Sequence, residues 1–299
     1  MNVYEMLEDI RQPDKKKKVI LDTDTFNEID DQYALAYCLL ADNIELIAAC
    51  AAPFYNDNSE SYEDGMLKSY DEIKKVLSLT CPERNVPVYH GSRTTIEAAG
   101  KVVDSPAARF IVDTVKNSSD PIWVLGIGAC TNIASALLLD PSIKDNMCVI
   151  WLGANWLQGD NLGEFNLVQD YTAGQYLINS GVPLLLCPAW FVVSELTADV
   201  SLKDALKGHN PLCDYLYQIT QTVFEKAGSN PAWVRTIWDI AAPAILDIPD
   251  CAEIDVVSAP VLTDSRVYAF DSTRHKMLYL KKIHREPVFK RAWSLITSI

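Results

Sequence analysis

The chain has 299 residues, 49% hydrophobic and 22% charged, which excludes a disordered tract or a fibre and allows a large buried core. Its formal net charge of −14 argues against a nucleic-acid backbone or an anionic membrane as partner, and suits a cation or a neutral polar ligand. The 8 cysteines follow no CxxC or paired spacing and sit mostly in apolar stretches such as "YCLL" and "LLCPAW", so they read as buried thiols of a reducing compartment.

The opening "MNVYEMLEDIRQPDKKKKVI" has no apolar stretch of the secretory-signal kind, and no apolar run reaches the roughly 20 residues of a membrane helix. A cytoplasmic location is therefore expected. "KKKKVILDTD" then reads as a strand and "DDQYALAYCLLAD" as a helix opening with acids. "IELIAACAAP" is a second strand and "YEDGMLKSYDEIKKVLSL" an amphipathic helix. The alternation continues through "VPVYHG", helical "PAARFIVDTVK", "IWVLGIG", helical "TNIASALLL", "MCVIWLGA", helical "DYTAGQYLINSG" and "VPLLLCPA". Two further helical stretches, "PLCDYLYQITQTVFEKAG" and "TIWDIAAPAILDI", precede strand-like "EIDVVSAPVLTD", "RVYAFD" and "KMLYLKKI". Short apolar strands alternating with longer helices predict one α/β domain over residues 1–299, with a largely parallel open sheet covered by helices on both faces.

Ligands of such sheets bind beyond the carboxyl ends of the strands. The candidate tips are Asp22 and Asp24, the segment Ala52–Asn56, "GACTN" at Gly128–Asn132 and "GAN" at Gly153–Asn155. The first of these carries four aspartates and one glutamate between Asp22 and Asp31. One acid at a helix start is favoured by the dipole and by capping. Several carboxylates at one sheet edge repel by several kcal/mol unless protonated or joined by a cation. A hard divalent ion held by oxygens, Ca²⁺ before Zn²⁺, resolves that conflict. The plainer reading is an N-cap followed by a solvated acidic loop.

"DTDTF" overlaps the opening motif of haloacid-dehalogenase-type phosphatases, which would make Asp22 a nucleophile, Asp24 an acid/base and Mg²⁺ the metal; "QGDNLGEFN" is a poor version of their later acidic motif. A fuller resemblance is to the nucleoside hydrolase family (inosine-uridine preferring type N-ribohydrolases), whose opening motif is D-x-D-x-G-x-D-D. "DTDTFNEIDD" is similar to it, although "TFNEI" makes the loop about two residues longer and lacks the glycine. "NVPVYHGS", "LGIGACTNIASALLLDPSI", "VIWLGAN", "GEFNLVQDYTAGQYLINSGVPLLLCP" and "WDIAAPAILDIP" follow in the family's order over residues 18–250.

The resemblance implies a Ca²⁺ ion held by Asp24, Asp31, the Thr131 carbonyl and Asp239. It implies a metal-bound water deprotonated by Asp24, the catalytic base, for attack on the anomeric carbon. It gives the ribose hydroxyls to Asp30, Asn56, Asn161, Glu164 and Asn166, with Asn155 as the alternative to Asn161. Many members have histidine before the late aspartate; here Trp238 stands there, as in the purine-preferring branch, where it stacks on the base. Its aromatic partner is one of Phe54, Tyr55, Trp156, Trp190 or Trp233, and His209 is a further candidate base contact. The expectation is therefore Ca²⁺-dependent hydrolysis of ribonucleosides to base and ribose, with purines preferred, by a dimer or tetramer. The alternatives are the phosphatase and a non-catalytic ribose- or nucleoside-binding relative.

Overall fold

A computed structural model of the chain describes residues 1–159 and 161–299; Asp160, within the "QGDNLGEFN" stretch, lies outside them. Helix α1 (Val3–Ile10) is closed by an Asn2–Glu5 capping box, and β1 (Lys17–Thr23) leads into α2 (Asp31–Leu40), β2 (Ile44–Ala51), α3 (Tyr62–Thr80) and the short β3 (Val88–Tyr89). After α4 (Ile96–Ala99) and α5 (Pro106–Asn117) come β4 (Ile122–Gly126), α6 (Thr131–Leu139), β5 (Met147–Leu152), α7 (Phe165–Gln169), α8 (Tyr171–Asn179) and β6 (Leu184–Cys187). The last third holds β7 (Thr197–Asp199), α9 (Val200–Asp204), α10 (Pro211–Lys226), β8 (Val234–Thr236), α11 (Ala241–Asp247), β9 (Ala252–Ser258), β10 (Val261–Leu262), β11 (Tyr268–Ala269), β12 (Lys276–Ile283) and α12 (Arg285–Thr297).

The principal sheet has eight strands in the order β3-β2-β1-β4-β5-β6-β12-β9. All its pairings are parallel except β12 with β9. Alternate residues of β1 explain why helices cover both faces: Val19 and Leu21 enter one apolar core and Ile20 the other, so the strand reads as a continuous apolar run. The expected α/β fold with a largely parallel sheet is what the chain adopts.

Strand order reverses at β1, because the chain runs outward to β2 and β3 and then returns to place β4 on the other side. In open α/β sheets such a switch point opens a crevice at the carboxyl ends, where the two following loops part. The crevice between the ends of β1 and β4 therefore lies where the acidic loop leaves the sheet.

Several elements depart from the sequence expectation, the short α4, α7, β7 and α9 among them. "TIWDIAAPAILDI" is not one helix but β8, a 3₁₀ turn over Trp238–Ile240 and then α11, because β8 pairs with β7 in a separate ribbon. The terminal helices α1 and α12 were not anticipated, though the N-x-x-E signature of α1 was available at Asn2 and Glu5. Among the described residues no helix is long and apolar enough to cross a membrane.

Candidate active site

Immediately beyond β1, the backbone turns back on itself, with the Asn27 amide donating to the Asp24 carbonyl at 2.7 Å. The lengthened loop "TFNEI" is fixed by neighbours: Gln32 Nε2 donates to the Thr25 carbonyl at 2.8 Å, and Asn58 Nδ2 to the Asn27 carbonyl at 2.8 Å. This turn aims Asp24 into the crevice and returns the chain to Asp30 and Asp31 at the start of α2. Asp30 occupies the N-cap position but makes no capping bond; its Oδ2 accepts the Trp238 amide at 3.0 Å instead. A simple N-cap reading of this loop is thereby removed.

Asp24, Asp30, Asp31 and Asp239 line one cavity with Glu164 and Asn166. Its volume of about 170 Å³ is below the roughly 300–1,000 Å³ of sites that enclose drug-sized ligands. It suits a sugar-sized group, with the remainder of a ligand at the mouth. Carboxylate oxygens of Asp30, Asp31 and Asp239 lie within 4.8 Å of one another. Oxygens on opposite sides of a Ca²⁺ ion are separated by about 4.6–5.2 Å, twice the usual bond length, so this spacing fits one such ion. Both oxygens of Asp24 are buried and, among the described residues, have no hydrogen-bond partner, an arrangement that is costly for a carboxylate unless a charge meets it.

Burial raises every one of these acids. Asp30 is pushed up to about 7, with the Glu28 carboxylate adding to the effect, and Asp31 to about 8, with Asp30 adding. Asp24 and Asp239 rise well above the usual carboxylate range, again through burial first and then through neighbouring aspartates. Raised carboxyl groups on one cavity wall are a cation-binding donor set in chemical type; in position Asp30, Asp31 and Asp239 converge, while Asp24 lines the same cavity outside that close group.

The opposite wall is built by α7. Glu164 is its N-cap, accepting the amides of Asn166 and Leu167 and also that of Ala154, each at 2.8 Å. Burial nonetheless pushes Glu164 up to about 7. Asn166 Nδ2 donates to the Leu152 and Ile127 carbonyls at 2.9 and 3.2 Å, bridging the ends of β5 and β4. Gly128 beside it admits the Asp24 side chain, since a Cβ there would stand 3.0 Å from the Asp24 carboxyl carbon.

The mouth is aromatic. Trp190 and Trp238 both line the cavity and meet edge-on, with ring centroids 5.5 Å apart. Of the other aromatic candidates, Phe54 is buried in the core, while Tyr55 pairs with Tyr62, Trp156 with Phe191 and Trp233 with Phe224. His209 is exposed and is not part of the lining.

The family model for inosine-uridine preferring nucleoside hydrolases matches residues 19–286. The chain belongs to that family. A pyrimidine-specific ribonucleoside hydrolase, RihB of Escherichia coli (strain SE11), is 24% identical over 197 residues, spanning 58% of this chain and 59% of that protein. The match thus covers less than two thirds of the curated relative. A plant nucleoside hydrolase superposes with TM-score 0.78 at 18% identity, over 95% of this chain and 99% of its own. A purine-preferring ribonucleoside hydrolase from Gardnerella vaginalis gives 0.77 at 21% identity, over 95% and 100%. These two establish a shared fold.

Within this nucleoside hydrolase frame, three anticipated residues are not brought to the cavity. Thr131 begins α6 and its hydroxyl donates to Asp170 at 2.7 Å; the segment's residue on the cavity wall is Ile127, one position before the glycine. Asn56 donates to Asn27 Oδ1 at 2.6 Å from outside the cavity, and Asn27 is the one on the lining. Asn161 is exposed, and its side chain closes a turn onto the Gly163 amide at 2.7 Å. Asn155, the alternative, is buried and donates to the Asn161 carbonyl at 3.0 Å. Asn27, Glu28, Ile127 and Trp190 are on the lining without having been assigned roles, although Trp190 was among the aromatic candidates. Asp22, the nucleophile of the phosphatase reading, is fully buried beneath the site and accepts from Asn132 Nδ2 at 2.8 Å. A phosphoryl acceptor must meet its substrate, so that reading fails.

Proposed function

We propose that the chain is a Ca²⁺-dependent nucleoside N-ribohydrolase, releasing free base and ribose. The observation that carries the proposal is Asp24, whose two buried, partnerless oxygens face three further aspartates across a cavity. Asp31 and Asp239, whose oxygens lie close together, would hold the ion with Asp24, which lines the same cavity outside that close group, and with the Ile127 carbonyl in place of the expected Thr131. That carbonyl already accepts one hydrogen bond from Asn166 and retains its second lone pair. When bound, Ca²⁺ neutralises the cluster and lowers the pKa of a coordinated water.

The protein groups then divide the remaining work. Asp24 takes the proton of the attacking water, a contribution of the general-base kind worth about 10²–10⁴-fold. Asp30 and Asn166 have one end tied to backbone, at the Trp238 amide and at the strand-end carbonyls. This pre-orients them to hold ribose hydroxyls. Glu164, locked by three amides, offers a fixed negative edge for the positive charge that grows on the sugar ring in an oxocarbenium-like transition state. Asn27 takes the ribose role expected of Asn56. The base lies at the mouth on Trp238, whose broad indole favours a purine; stacking of this sort contributes about 1–3 kcal/mol per base.

Ribose release from inosine, adenosine, uridine and cytidine, measured with and without a chelator, tests the proposal. Release that the chelator abolishes, fastest with a purine nucleoside, is the expected result. Tight nucleoside binding without turnover would instead make the chain a non-catalytic relative, and a pyrimidine preference would overturn the role given to Trp238.

A further inference from the structure

The leaving base poses a problem that the cavity does not solve in the usual way. When the C1′–N bond of a neutral nucleoside breaks, the electron pair goes to the ring nitrogen, and the departing base is an anion unless a donor protonates it. Among the described residues lining the cavity, every titratable side chain is a carboxyl group; no histidine, lysine or tyrosine is present. Glu164 has both oxygens occupied as acceptors of backbone amides. Asp24, Asp31 and Asp239 belong to the proposed cation cage, and Asp30 accepts from the Trp238 amide. Glu28, from the lengthened loop, is ion-paired with Arg235, so it too is an acceptor. A departing anionic base would thus pass a lining whose ionisable side chains are all acids and none of them basic.

The same surroundings are well matched to a positive ring. Trp190 and Trp238 present two indoles at the mouth, the best of the aromatic side chains for holding a cation. The Glu28 carboxylate stands on the same lining, and Arg235, which pairs with it, does not line this cavity.

We propose, building on the hydrolase reading above, that the preferred substrates are ribosides whose leaving ring already carries a positive charge, such as N-ribosylpyridinium compounds or ring-alkylated purine nucleosides. The hydroxyl of water bonds to C1′ and its proton passes to Asp24 and then to solvent. The C1′–N bond breaks with its electron pair moving onto the ring nitrogen, which turns the cationic ring into a neutral base. No proton is needed at the leaving group, and no co-reactant other than water. Glu28 is assigned as a specificity residue that acts on the charge of the ring.

Matched pairs that differ only in charge test this. For hydrolysis by the Ca²⁺-loaded protein, 7-methylguanosine is compared with guanosine. For binding, 1-methyl-3-carbamoylpyridinium is compared with nicotinamide by quenching of tryptophan fluorescence. The proposal expects kcat/KM to favour 7-methylguanosine by about 10²-fold or more, the size of a missing general acid. It expects the pyridinium cation to bind about tenfold tighter than its neutral partner, and Glu28→Gln to shrink that ratio severalfold. Equal binding within the pair, or guanosine cleaved as well as its methylated form, overturns the proposal and leaves the hydrolase reading standing. Absence of ribose release from every compound overturns the hydrolase reading and this one with it.

Discussion

At the scale of single residues, Asp24 is the most informative position. A fully buried carboxylate with no partner is a liability to the fold and an asset to a cation site. Asp24→Asn is therefore expected to act in opposite directions on activity and stability. Ribose release should fall by about 10³-fold, while the cation-free protein at pH 8 should melt at a higher temperature than wild type, because a partnerless buried carboxyl crowded by other aspartates has become a neutral amide. Paired kinetic and calorimetric measurements on one preparation check this, and a variant that loses both activity and stability would contradict it. Ala154 offers a smaller test. It adopts φ 59°, and its amide donates to Glu164. An alanine in the left-handed region costs about 1 kcal/mol relative to glycine. Ala154→Gly should stabilise the protein by about that much in urea denaturation without moving the Glu164 contact.

At the scale of elements, the site depends on a buried brace beneath it. Asn132, in the first turn of α6, donates to Asp22 Oδ1 at 2.8 Å and to the Ala51 carbonyl at 3.2 Å, and accepts the Ser92 amide at 2.8 Å. One amide side chain thus ties the ends of β1 and β2 to α6 and to the loop after β3. Asn132→Asp would set a carboxylate against Asp22 and a carbonyl, and an uncompensated buried charge costs about 3–5 kcal/mol. Urea denaturation should show a loss in that range; a variant of unchanged stability would mean the brace is dispensable. The brace also shows why the sequence was only partly readable. Two apart in "DTD", Asp22 and Asp24 would point the same way if both lay within a strand. β1 ends at Thr23, however, so Asp24 belongs to the turn and faces the cavity while Asp22 stays in the sheet. Periodicity located β1, β4 and α8 because their apolar patterns are local. It could not separate Ile127 from Thr131, since which carbonyl faces the crevice depends on where β4 stops and α6 starts. Asn27 and Glu28 were illegible for the same reason: nothing in the lengthened loop "TFNEI" announces that Asn58 and Arg235 will pin it.

At the scale of the whole molecule, the charge of −14 and the buried acid cluster make stability depend on pH and on cation together. Free aspartate titrates near 3.9, whereas burial holds Asp30 near 7 and Asp31 near 8. The folded, cation-free protein then binds more protons than the unfolded chain between those limits. The contribution of these groups is fully present below about pH 4 and is lost as pH rises through 7 to 8. Chelated protein should melt at progressively lower temperature between pH 5 and pH 8.5, and added Ca²⁺ should raise the melting temperature most at the alkaline end. A flat profile, or rescue confined to acid, would contradict the assignment of the cluster. The most direct test is isothermal titration of Ca²⁺ into chelated protein, in buffers of different ionisation enthalpy and at pH 6.5 and 8.5. One ion per chain should bind, releasing more protons at pH 6.5 than at 8.5 as the raised carboxyl groups give theirs up, with binding weakened at least tenfold in Asp24→Asn and Asp239→Asn. An absence of binding, or binding indifferent to both substitutions, would contradict the central claim that these aspartates cage a single cation.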